Sequence, residues 1–105
     1  MEYKKIPSKI TLGGQEVELR NVERCDNNSV GESHLYEGFL EIANNFNKVA
    51  VQSESSKVNT FYHELTHAIL QTMGEHELNE NEKFVCCFAG FLADAMDKAY
   101  FQEEE

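Results

Sequence analysis

A chain of 105 residues, 41 % of them hydrophobic, has the size of one compact domain and can bury a modest core without disulfide staples. Nineteen acidic residues against nine basic ones give a net charge of −10. That balance speaks against a nucleic-acid partner and against a polybasic membrane-surface patch.

The opening MEYKKIPSKITLGG lacks the apolar segment of a signal peptide. Two alternating runs, Ile10/Leu12 and Val17/Leu19, flank Gly13-Gly14. A glycine pair at that place predicts a hairpin, because both residues tolerate positive φ. Asp26, Asn27, Asn28 and Ser29 follow as turn chemistry. Short strands are expected near 30–35 and 38–43, with Leu40 and Ile42 alternating and His34 as a surface histidine, the alternative being that it lines a cleft. NNFNK reads as a loop, and VAVQ is too short to assign.

The second half is helical. One helix is predicted over about 55–73, capped by Ser53, Ser55 or Ser56 and closed by Gly74 at the C′ position. Val58, Phe61 or Tyr62, Leu65, Ile69 and Met73 recur at helical spacing as its buried face. A second helix is predicted over about 80–100, with Asn79 and Glu82 in capping-box spacing. Its apolar face takes in Phe84, Val85, Phe88, Phe91, Leu92, Ala95, Met96 and Ala99. No window approaches the ~18 apolar residues of a membrane span. The expected architecture is a single α+β domain. A small, mainly antiparallel sheet of three to four strands over about 9–43 is followed by two packed helices.

Cys25, Cys86 and Cys87 are an odd set with two neighbours, which makes a poor disulfide framework. A reducing compartment, the cytoplasm, is expected. Cys86 and Cys87 fall in an apolar stretch, where cysteine packs as a small hydrophobe. Cys86 also follows Glu82 by one helical turn, so a thiolate ligand there is the alternative to core packing.

The first helix carries HELTH, residues 63–67. Positions four apart are nearly stacked on one helix face, so His63 and His67 can aim two imidazoles at one ion. Zinc accepts imidazole nitrogen at ~2.0–2.1 Å but needs a third protein ligand. Glu64 projects ~100° away from His63, beside such an ion and not on it, where its carboxylate can hold a water. Zinc lowers the pKa of that water from about 15.7 to about 7. Glu64 can then take the proton and pass it to a leaving amine. The motif is short, and an ordinary helix turn with two histidines and a glutamate is its bland alternative.

Candidates for the third ligand are Glu75, His76, Glu77, Glu80 and Glu82. AILQTM after His67 breaks the H-x-x-G-x-x-H continuation that would recruit a third histidine. Glu82 is the best placed, at the start of a helix that can fold back on the first. Glu80 remains open beside it, and an ordinary capping role is the plain reading of Glu82.

Strands, then TFYHELTHAIL, then a short turn and a helix opening with NEKFVCCFAGFL, resemble the gluzincin zinc metallopeptidases. The size is similar to that of the minimal single-domain members, the minigluzincins, and to small HExxH proteins of phages and mobile elements. GESHLYEGFLEIA resembles the strand pair such proteins place before the active-site helix. The resemblance covers about residues 30–96 and implies a zincin-like fold with one Zn2+ per chain. It implies His63, His67 and Glu82 as metal ligands, Glu64 as general base, and a peptide or protein substrate. An extended peptide would add to the edge of the strand near 30–35. Tyr62 and His76 are the candidate oxyanion donors. The resemblance also implies a monomer, or a homodimer held latent, with residues 100–105 as a possible inhibitory tail. The alternative function is a non-catalytic, zinc-stabilised interaction module of phage or mobile-element origin.

Overall fold

The computed structural model of the chain describes residues 6–25, 29–46 and 50–97. The first hairpin pairs β1 (Lys9–Leu12) with β2 (Gln15–Val22) in antiparallel register. Gly13 and Gly14 join them at φ 57° and 83°, the two positive angles that a tight hairpin turn of this hand requires.

The second strand pair is β3 (Gly31–His34) and β4 (Phe39–Ala43), also antiparallel. A 3₁₀ turn at Leu35–Glu37 links them and closes on Gly38 at φ 85°. The other edge of β4 runs parallel to β2, with Leu19 opposite Leu40. The sheet order is β1-β2-β4-β3. It is therefore mixed, with antiparallel pairs on both flanks and one parallel pair at the centre. β5 (Asn45–Phe46) and β6 (Ala50–Val51) form a separate two-stranded ladder, which takes in part of VAVQ.

Side chains alternate across a strand, so one face of the sheet collects Ile10, Leu12, Val17, Leu19 and Leu40. These pack with Leu35 and with Ala68 from the first helix. Phe39 points to the opposite face and is still buried. There the Arg20 guanidinium lies 3.8 Å from its ring centroid, and the His34 ring stacks on it at 4.7 Å.

Helix α1 (Glu54–Met73) begins where Ser53 Oγ accepts the Ser56 N–H at 3.1 Å, and ends on Gly74 at φ 79°. Buried Gln52 fixes its start to the sheet. The Gln52 amide donates to the Ala43 carbonyl and accepts from Ser56 and Thr60 hydroxyls, each at 2.8 Å. The one-turn helix α2 (His76–Asn79) follows, then α3 (Glu82–Asp97).

Three expectations change here. The cap of α3 is Asn81, whose Oδ1 accepts the Phe84 N–H at 3.1 Å. Asn79 lies inside α2, and Glu82 is the first residue of α3. The buried face of α1 is Val58, Phe61, Ala68 and Leu70, with Thr60, Glu64 and Thr66. Leu65 and Ile69 are half-buried, and Met73 is 64 % exposed. This face is wider than the apolar stripe because β3 also lies against α1, over its polar Thr60 and Glu64.

The third change concerns α3, which packs on α1 and, at its start, on α2. It does so through the narrow stripe Val85, Ala89 and Ala93. Phe88 is 47 % and Phe91 77 % exposed, and Cys86 and Cys87 are exposed as well. A second layer over α3 would be needed to bury them, and the described residues supply none. Ala99 and residues 100–105 lie outside the described residues. No helix among the described residues is long and apolar enough to cross a membrane.

Candidate metal centre

HELTH occupies the middle of α1, where the helix is anchored on both sides by packing. His63 and His67 stand one turn apart, with ring centroids 4.9 Å from each other and planes at 70°. The short α2 turn then returns the chain, so that Glu82 opens α3 directly opposite. One carboxylate oxygen, Glu82 Oε1, lies 3.7 Å from His63 Nε2 and 3.6 Å from His67 Nε2. Two donors on one tetrahedral zinc at ~2.0–2.1 Å would stand ~3.3 Å apart. Each oxygen–nitrogen spacing is close to that, and two nitrogens with one carboxylate oxygen are a donor set that suits zinc; the donor atoms here that all lie within 4.8 Å of one another are those of His63, Glu82 and Cys86, with His67 reaching Glu82 alone of these. Of the two open candidates, Glu82 meets the imidazoles. Glu80 is exposed at the end of α2.

The orientation of His67 has a cause that local sequence rules do not reveal. Asn79 Oδ1 lies 2.6 Å from His67 Nδ1. An Nδ1–H donated to that oxygen leaves Nε2, the nitrogen nearer Glu82, as the one able to take a metal. An outer partner of this kind fixes a ligand imidazole's tautomer and ring angle. The sequence pattern assigns Asn79 to capping. Only the return of α2 against α1, twelve residues on, gives it this second use.

Protonation of His63 is disfavoured. Burial lowers its pKa below the ordinary 6.5, neighbouring His67 lowers it further, and Glu82 opposes both. A neutral imidazole is the form that binds a metal.

Glu64 lies under β3 and lines the same cleft as His63. It is only 8 % exposed. Burial pushes its pKa up from 4.5 to about 7. His67 pulls it down, Glu32 and Glu82 raise it, and His34 lowers it. What lies over Glu64 is Gly31. A Cβ at position 31 would stand 2.5 Å from Thr60 Cγ2 and 3.1 Å from Glu64 Cγ. The bare glycine backbone lets β3 approach the helix at the motif.

A cleft of about 390 Å³ opens along this seam. Ser29, Val30 and Gly31 form one wall, Asn59, Thr60, His63 and Glu64 the floor, and Cys86 and Ala89 the other wall. β3 is an edge strand of the four-stranded sheet, so the segment near 30–35 expected beside a substrate does border the cleft. Tyr62 and His76, the two candidate oxyanion donors, are not among its lining residues.

His34 is no isolated surface histidine. Its Nε2 lies 3.0 Å from Glu32 Oε1 and 3.5 Å from Glu41 Oε1, beside the Phe39 ring. Cys86, expected in the core, is exposed instead, with its sulfur, a Glu82 oxygen and a His63 nitrogen all within 4.8 Å of one another.

No protein-family model, curated protein or solved structure matches this chain.

Proposed function

We propose that the chain is a zinc-dependent peptidase of the gluzincin type, acting on a peptide or protein substrate in the cytoplasm. The observation that carries this reading is Glu82 Oε1 standing 3.7 and 3.6 Å from the two Nε2 atoms, with buried Glu64 next in sequence to His63 and facing the same cleft. His63, His67 and Glu82 would hold one zinc per chain. Zinc, when bound, supplies a Lewis acid that polarises a carbonyl and acidifies water.

The chain's own residues do the rest. Glu64, buried and on the same cleft as His63, would take a proton from the attacking water and return it to the leaving amine. Asn79 holds the His67 ring. The outer edge of β3, unpaired by any strand among the described residues, would offer backbone N–H and C=O groups to an extended peptide lying along the cleft as an added strand. Monomer and latent homodimer both remain compatible with this reading.

A second reading keeps the metal and drops the catalysis. Exposed Phe88 and Phe91 on α3 favour a zinc-stabilised module that binds another protein through its apolar side. Metal analysis and peptide cleavage together separate the readings. For the peptidase, chain purified without chelator carries about one zinc, and Glu64→Gln keeps the zinc while losing hydrolysis of a peptide library. Zinc without any cleavage supports the module. Absence of zinc, with no thermal shift on adding it, removes both.

A further inference from the structure

Cys86 follows Glu82 by four residues in α3, so helical stacking sets the thiol on the same side as the carboxylate. Its sulfur, the Glu82 oxygen and the His63 nitrogen fall within 4.8 Å of one another. Cys86 also lines the cleft that His63 and Glu64 share. Donor spacing and position on the cleft wall thus place this thiol beside His63 and Glu82. Exposed Cys87, the next residue, belongs to neither group.

We infer that Cys86 is a fourth donor to the metal held by His63, His67 and Glu82, and that this closes the centre and keeps it latent. The inference rests on the zinc reading above. Zinc takes thiolate at ~2.3 Å, so a sulfur and a nitrogen on one tetrahedral ion stand ~3.5 Å apart. An exposed cysteine covers the remaining distance by a χ1 rotation, without moving the helix. Coordination releases the thiol proton to solvent as the sulfur–metal bond forms. Four protein ligands make a closed site, whereas catalysis needs one position open. Detaching or blocking Cys86 restores that position. The soft sulfur also raises preference for zinc over hard cations such as magnesium.

Cobalt(II) in place of zinc tests this on the full chain, because a cobalt–thiolate bond has its own near-ultraviolet charge-transfer band. The expected result is one cobalt per chain with that band present. Cys86→Ser should abolish the band but keep the visible bands of a four-coordinate ion, and Cys87→Ser should keep both. Cobalt bound without the band, or a band that survives Cys86→Ser, overturns the role of Cys86 and leaves the zinc reading intact. If the chain binds neither cobalt nor zinc, both fall. Should Cys86→Ser fail to fold, alkylation of the unaltered chain decides. Iodoacetamide, from which the thiolate displaces iodide, should label Cys86 freely in chelator and be blocked there by zinc, with Cys87 labelled in both cases. Equal labelling of Cys86 with and without bound zinc overturns the inference.

Discussion

Asn79 Oδ1 lies 2.6 Å from His67 Nδ1, and through that contact the one-turn helix α2 sets the direction of an imidazole on α1. Removing the acceptor frees the ring to rotate and to exchange tautomers. Asn79→Ala should weaken zinc binding roughly 10–100-fold, the usual cost of losing an outer hydrogen-bond partner of a metal histidine. Asn79→Asp, which keeps an acceptor oxygen, should recover most of the affinity. Competition against a chromophoric chelator measures both. Equal affinity in Asn79→Ala and the unaltered chain would mean that packing alone orients His67.

The elements legible in the sequence are those governed by local rules. Gly13-Gly14, the Gly74 stop and the i,i+4 histidines each need only neighbouring residues, and each stands where the pattern puts it; of the three serines open as the α1 cap, the structure uses Ser53. For the third donor the sequence leaves Glu80 and Glu82 open, and the fold brings Glu82 toward both imidazoles. Asn79 is not legible, because Asn79 and Asn81 satisfy the same local capping preference. The return of α2 against α1 decides between them. Phe88 and Phe91 mislead for a different reason. Hydrophobic periodicity says which side chains would gain from burial, but not whether a second layer exists to bury them.

Gly31 is silent in one sequence and decisive in space. Its backbone lies so close to α1 that a methyl group would meet Thr60 Cγ2 at 2.5 Å, Glu64 Cγ at 3.1 Å and the Glu41 carbonyl at 3.2 Å. Gly31→Ala should therefore destabilise the fold by about 1–3 kcal/mol, the usual range for overpacking a tight contact. Thr60→Ser removes the nearest methyl, so the double variant should recover part of the loss. Urea unfolding of the four species gives the coupling. If Gly31→Ala is neutral, β3 does not sit this close to the motif.

The narrow interface of α3 makes an asymmetric prediction about two apolar residues on one helix. Val85 is fully buried and Phe91 is 77 % exposed. Val85→Ala should cost about 1–3 kcal/mol, because it leaves a cavity between α3 and α1. Phe91→Ser should stay within about 0.5 kcal/mol, despite deleting the larger side chain. The reverse order in urea unfolding would show that the Phe91 side of α3 is covered in solution, by a second copy or by residues outside those described.

Burial of Glu64 makes the stability of the metal-free chain depend on pH in a direction opposite to an ordinary paired carboxylate. The folded pKa is about 7 and the unfolded one 4.5. Between these values the folded chain holds a proton that the unfolded chain has lost, so the Glu64 contribution falls as pH rises through the window and is flat above it. Two and a half units correspond to up to about 3 kcal/mol. His63 works the other way: its folded pKa lies below 6.5, so its penalty appears as pH falls under that value. Glu64→Gln, an uncharged near-isostere of the protonated acid, separates the two. In chelator the variant should be more stable than the unaltered chain at pH 8, by up to about 3 kcal/mol. At pH 4.5 and below the gap should nearly vanish, because both chains then bury a neutral group while His63 contributes equally to each. A gap of the same size at both pH values would mean that the carboxylate reaches solvent and is not held in the dry seam under Gly31.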